Sequence, residues 1–351
     1  MDSGHMVRTE STVEVCKYGC FAFLLLFLLP FSAARADEMK STVIIHDSRI
    51  DVFIEAAAAP LSQPEVMKWV ESAAESVVAY YGHFPVPHLT LRVFSFDGSG
   101  VRHGMTWGRE GGLIRIDAGS RTSEAEFADD WTLTHEMIHL AFPSMMGEEH
   151  HWIEEGLSVY IEPIARIRAG HWTARQMWSD LVRDMPKGLP REGDEGLDHT
   201  HTWGRTYWGG ALFCFMADVE IRRRTKNRKG LEDAVRGILE SGGDIRNDWE
   251  LQKALKVGDQ SAGVDVLEKL YADWKDKPIM VDLPAMWKLL GVELDGTTIR
   301  LNDGAPLAAV RRAIEMGTPG NKTGEGSAPP KSGGVASRPF AVFAGRTVGS
   351  N

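Results

Sequence analysis

The chain has 351 residues, 43% hydrophobic and 25% charged, a balance that supports a folded core and excludes wholesale disorder. Its formal charge of −10 argues against nucleic acid as a partner, and three cysteines are too few for a disulfide framework.

Phe21 to Phe31 reads FAFLLLFLLPF, an uncharged apolar run, and Ala34-Arg35-Ala36 follows with small residues where a signal peptidase reads. This predicts a signal peptide over 1–36 and an exported protein, periplasmic or secreted. The run is short of the ~20 residues of a spanning helix, so membrane contact is expected only if the segment stays uncleaved. Cleavage would remove Cys16 and Cys20. Cys214, inside the apolar run ALFCFM, is then expected as a buried small hydrophobe.

Ser41 to Glu55 is rich in β-branched residues and predicts one or two strands. Over Gln63 to Tyr81, Val66, Trp69, Val70, Ala73, Val77 and Tyr80 recur at helical spacing, with Pro64 in the first turn and Gly82 as the stop. Leu89 to Phe96 alternates like a half-buried strand and Gly112 to Ala118 makes a second. Gly98 to Gly111, between them, reads as a glycine-rich loop. Helices are expected at Glu124 to Phe142, Ile153 to Arg168, Thr173 to Arg183, Thr206 to Thr225, Gly230 to Leu239, Val264 to Trp274 and Pro284 to Leu290. Val292 to Asn302 carries the Asp-Gly signal of a hairpin. From Gly317 to Asn351 the composition turns to Gly, Pro and Ser, which predicts a disordered tail. Strands followed by helices predict an α+β domain over 37–316, a small mixed sheet and then a mostly helical half.

Chemistry concentrates at His135-Glu136-Met137-Ile138-His139, an HExxH pattern inside a predicted helix. Residues i and i+4 share a helix face, so both imidazoles can reach one metal ion. Glu136 stands beside them, able to work on water without being a ligand. A catalytic zinc takes three protein ligands and leaves a position for water. The third ligand is offered by the stretch His151 to Tyr160, HWIEEGLSVY, and the adjacent acids Glu154 and Glu155 compete because they point about 100° apart on a helix. His150 and His151 are expected as surface residues.

HEMIH followed by WIEEGLSVYIE resembles the gluzincin metallopeptidases, and the later run Tyr207-Trp208-Gly209-Gly210-Ala211 to Thr225 is similar to the glycyl aminopeptidase family among them. The resemblance implies a thermolysin-like catalytic domain that cleaves a peptide or protein substrate, with one Zn²⁺ per chain on His135, His139 and Glu155. It also implies Glu136 as general base and Tyr207 as hydrogen-bond donor to the developing oxyanion. Glu162 is either a carboxylate that orients a ligand or a solvated surface group, and His199 and His201 are candidates for the cleft wall. Strand Gly112 to Ala118 is expected to hold substrate as an added β-strand. Glu110, in GREGGLI, echoes the exopeptidase motif of related aminopeptidases one place out of step, so exo- against endo-cleavage stays open, as does the oligomeric state. The β-domain that usually precedes this catalytic unit is expected to be missing, since few residues come before the first core strand. Two other readings remain: a noncatalytic peptide- or glycan-binding module with structural zinc, and a zinc hydrolase for a different bond. The basic run Arg222 to Lys229 is expected to complement the C-terminal dipole of the Tyr207 helix.

Overall fold

Alternation along the first β-rich stretch is interrupted at His46-Asp47, where His46 adopts a left-handed φ of 50, and the stretch folds into a hairpin, β1 (Glu38–Ile45) and β2 (Ser48–Glu55). The computed structural model describes residues 38–55, 60–108, 111–296 and 298–318. The expected signal peptide and nearly all of the expected tail lie outside the described residues, as does Glu110.

Helix α1 (Gln63–Tyr81) follows, with Pro64 in its first turn and Gly82 left-handed at its end. It crosses over to β3 (His88–Phe96), which pairs parallel with β2 and with β5 (Leu113–Gly119). The region expected as a glycine-rich loop instead forms a strand, β4 (Val101–Trp107), antiparallel to β5. Arg102, His103 and Gly104 hide the strand signal because an edge strand is only half buried. Sheet order is β1-β2-β3-β5-β4. The expectation that β5 receives substrate therefore needs correction: both its edges are paired, and of the two edge strands, β1 and β4, it is β4 that lies next to β5.

The apolar sides of β2, β3 and β5, including Ile50, Val52, Leu89, Leu91, Ile114 and Ile116, are buried beneath the helices. The single helix expected over Glu124 to Phe142 is two, α2 (Glu124–Asp129) and α3 (Thr132–His139). Asp130 is extended between them, and its carboxylate accepts from the main-chain N–H of Thr132 and of Leu133, both at 3.1 Å. A short polar acceptor satisfies the free donors of a new helix better than continuing the old one would. Trp69 on α1 donates to the same carboxylate at 3.0 Å, which ties α3 to α1.

The helical half contains α4 (His151–Arg168), α5 (Ala174–Asp184), a π-helical turn (Gly204–Gly209), α6 (Gly210–Thr225), α7 (Leu231–Glu240), α8 (Leu251–Ala262), α9 (Leu267–Trp274) and α10 (Leu283–Leu290). Strands β6 (Ser144–Met145) and β7 (Asp248–Trp249) form a short parallel pair. The expected hairpin, β8 (Val292–Asp295) and β9 (Thr298–Leu301), precedes α11 (Ala308–Met316). Helix α8 escapes the sequence reading because its buried face relies partly on the small residues Ala254, Gly258 and Ala262. No helix among the described residues is long and apolar enough to cross a membrane.

The basic run after Tyr207 is not one dipole-capping patch. Arg222 is fully buried and ion-paired to Asp218 at 2.8 Å and to Glu232 of α7 at 2.5 Å, while Tyr160 of α4 donates to Asp218 at 2.9 Å. Arg223 pairs with Glu220 at the surface, and Arg224 with Asp265. Removing one partner from a buried ion cluster leaves uncompensated charge and costs about 3–5 kcal/mol. Arg222→Met is therefore expected to lower Tm by roughly 10 °C, and Arg223→Met to leave it nearly unchanged. Equal thermal melts for the two variants would show that the buried cluster does not hold α4, α6 and α7 together.

Candidate active site

Helix α3 sets His135 and His139 one turn apart, with their Nε2 atoms facing each other at 3.2 Å. From α4, Glu155 brings Oε2 to 3.1 Å from His135 Nε2 and 3.7 Å from His139 Nε2. All three donor atoms lie within 4.8 Å of one another, with His135 and Glu155 buried. Glu154 turns elsewhere: one oxygen accepts from the Met145 N–H at 3.1 Å, the other lies 3.3 Å from His151 Nδ1. The two histidines expected at the surface differ. His150 is buried against the Tyr271 hydroxyl at 3.1 Å, whereas His151 is half exposed with Nε2 3.3 Å from Glu155 Oε1.

Protonation at His139 and Glu155 suits a cation. Burial pulls His139 down to about 4, so its ring is neutral at pH 7. Burial alone would raise Glu155, but His139 and His135 outweigh it and hold the carboxyl at about 2. Neutral imidazole and ionised carboxylate are the forms a divalent metal binds. Two histidines and one carboxylate are a donor set that fits zinc. Burial also opposes charge on His135, yet Glu155, Glu136 and Glu162 together raise it. Ser158 Oγ lies 3.2 Å from His139 Nδ1.

Glu136 is buried beside the cluster, and burial pushes its carboxyl up to about 7 despite a 2.6 Å hydrogen bond from Thr106 of β4. Glu162 is not a surface group. It is buried, ion-paired to Arg166 at 3.0 Å, and raised by burial to about 7. Arg166 also donates to the Ala128 carbonyl at 3.0 Å, so this pair links α4 to α2.

Tyr207 stands on the π-helical turn before α6, a distortion frequent at functional sites. Burial raises its hydroxyl well above the usual range, and the carboxylates of Glu155 and Glu136 raise it further, so it stays a protonated donor. Trp203 stacks on the Tyr207 ring with centroids 5.8 Å apart. The approach of this turn to Glu155 depends on two glycines. A Cβ on Gly156 would lie 2.2 Å from the Gly210 carbonyl carbon, and one on Gly210 would lie 1.9 Å from Trp152 O, so α4 and α6 touch backbone to backbone.

Of the other candidates, His199 is exposed and bonds to Asp276 at 2.8 Å, and His201 is exposed. Cys214 is buried and its thiol is pushed up by burial. Thr106 and Ser158 were not singled out from the sequence, since neither belongs to a motif and each is brought in by tertiary contact.

A scan of protein-family models and a search of curated proteins find no match. Among solved structures, the chain is similar to an aminopeptidase N family protein from Idiomarina loihiensis, with a TM-score of 0.57 and 13% identity, covering 73% of this chain and 49% of that one. A two-domain M1 zinc metallopeptidase bound to L-arginine gives 0.48 and 12%, over 70% and 54%. An M1 zinc metallopeptidase from Deinococcus radiodurans gives 0.46 and 12%, over 71% and 54%. The chain thus spans about half the length of these proteins. At such identity the first likeness establishes a shared α+β fold.

The glycine contact is open to test. Gly156→Ala must push α4 and α6 apart, and overpacking of this kind costs ~1–3 kcal/mol or more. Tm should fall by roughly 5 °C, and an unaltered melt would mean that the helices do not approach this closely.

Proposed function

We propose that this chain is an exported zinc metallopeptidase that hydrolyses peptide bonds on a thermolysin-like, gluzincin-type catalytic domain. The observation that carries the reading is the convergence of His135 Nε2, His139 Nε2 and Glu155 Oε2 with the buried Glu136 carboxylate alongside. His135, His139 and Glu155 would hold one Zn²⁺, which when bound acidifies a water and polarises the scissile carbonyl. Glu136 takes the proton of the attacking water and passes it to the leaving amine, a task suited to a carboxyl near pH 7. Tyr207 donates its hydroxyl proton in a hydrogen bond to the oxygen on which charge develops. The free edge of β4 offers main-chain groups to an extended peptide, which would add as a sixth strand. Export rests on the signal-like segment alone. The later motifs support a place near the glycyl aminopeptidases.

Metal analysis of the purified protein should give about one zinc per chain. Glu155→Ala and His139→Ala should lose it and Glu154→Ala should keep it. Full zinc in Glu155→Ala would remove that residue from the ligand set.

Glu136→Gln keeps shape while removing basicity. It should retain zinc and fold while turnover on a peptide library falls on the order of 10²–10⁴-fold. Undiminished hydrolysis would rule out Glu136 as the base.

Tyr207→Phe removes one hydroxyl and keeps the ring. Steady-state kinetics should show kcat lower by ~10²-fold with little change in KM, at wild-type zinc content and Tm. A wild-type kcat, or a loss that tracks zinc or unfolding, would make Tyr207 a packing residue.

A further inference from the structure

Strand β4 meets Glu136 through two residues. The Thr106 hydroxyl lies 2.6 Å from Glu136 Oε2 and 3.0 Å from the Glu136 main-chain oxygen. It has one proton, and an ionised carboxylate is the stronger acceptor, so the shorter contact takes it. Two residues earlier, on the same side of the strand, Gly104 makes room. A Cβ there would lie 2.4 Å from both Cγ and Oε1 of Glu136.

A bulge brings these two residues round. Arg102 opposes Asp117 and Met105 opposes Arg115, so His103 and Gly104 together stand across from one residue of β5. One extra residue reverses the facing of every side chain after it. Without it, Thr106 would point away from α3. The bulge holds His103 in the left-handed region at φ 47, a conformation a regular strand does not require.

We propose that Thr106 is a positioning residue that fixes Oε2 of Glu136 and so leaves Oε1 to take the proton of the attacking water. This rests on the reading of Glu136 as general base. A carboxylate on two methylenes can swing among several rotamers, and only one of them presents an oxygen at reacting distance. The hydroxyl selects that rotamer, Gly104 admits it, and the β-bulge aligns both. Loss of the hydroxyl leaves Glu136 in place but spread over poses, which lowers the fraction of bound substrate poised to react.

The test compares Thr106→Val, which keeps shape and removes the hydroxyl, with Thr106→Ser, which keeps the hydroxyl. Full-length zinc-loaded protein is assayed on a peptide that the wild type cleaves. Thr106→Val should lower kcat by roughly 10–100-fold, with KM within about twofold and zinc content and Tm unchanged. Thr106→Ser should restore most of the rate. In a Glu136→Gln background, Thr106→Val should cost nothing further, because the group it positions is gone. A wild-type kcat for Thr106→Val, an equal loss in Thr106→Ser, or a loss that follows zinc or Tm overturns the proposal. A crystal structure of Thr106→Val with the Glu136 side chain in its original rotamer overturns it regardless of activity. If Glu136→Gln is itself fully active, the general-base reading has failed. An inactive Glu136→Gln beside an unimpaired Thr106→Val removes the positioning role alone.

Discussion

Holding two imidazole nitrogens 3.2 Å apart next to a carboxylate oxygen, away from water, carries a desolvation cost that only hydrogen bonds, opposite charge or a bound cation can offset. The architecture around this cluster is arranged to bear that cost. Asp130 and Trp69 fix the start of α3, and the contact of Gly156 with Gly210 lets the turn before α6 approach Glu155. Arg166 balances Glu162 underneath, and Glu162 supports positive character on His135. Loosening any of these contacts would let the donor atoms drift apart.

The buried cluster of Asp218, Arg222 and Glu232 makes an instructive contrast. There the cation belongs to the chain, and the two carboxylates share it at 2.8 and 2.5 Å. It is a closed balance that serves packing among α4, α6 and α7. At His135, His139 and Glu155 the chain supplies donors alone. One arrangement is suited to stability, the other to capturing a partner from solution.

The readable parts of the sequence were those governed by local rules. HEMIH on a short helix fixes the mutual placement of two imidazoles and Glu136 from spacing alone. Helix α1 was legible to the residue because Pro64, the apolar period and Gly82 all agree. Glu155 could be separated from Glu154 only by resemblance, since which of two neighbours faces inward depends on how α4 rolls against α3. Strand β4 was missed because a bulged edge strand does not alternate. Thr106 was missed with it, as its partner lies 30 positions away. Asp130 reads as one more acid in a helix until its carboxylate is seen to start a second one. The Arg222 run misled for a similar reason: three consecutive arginines look alike in sequence, yet the first is fully buried and the other two are exposed.

Among the described residues, sulfur chemistry is confined to Cys214, buried in α6 with its thiol held protonated. A thiol in that state is a poor nucleophile and cannot reach a partner for cross-linking. The described domain is therefore knit by packing and internal charge pairs without a covalent staple. Its fold should be the same in reducing and in oxidising surroundings, and its assembly needs no thiol oxidase or disulfide isomerase.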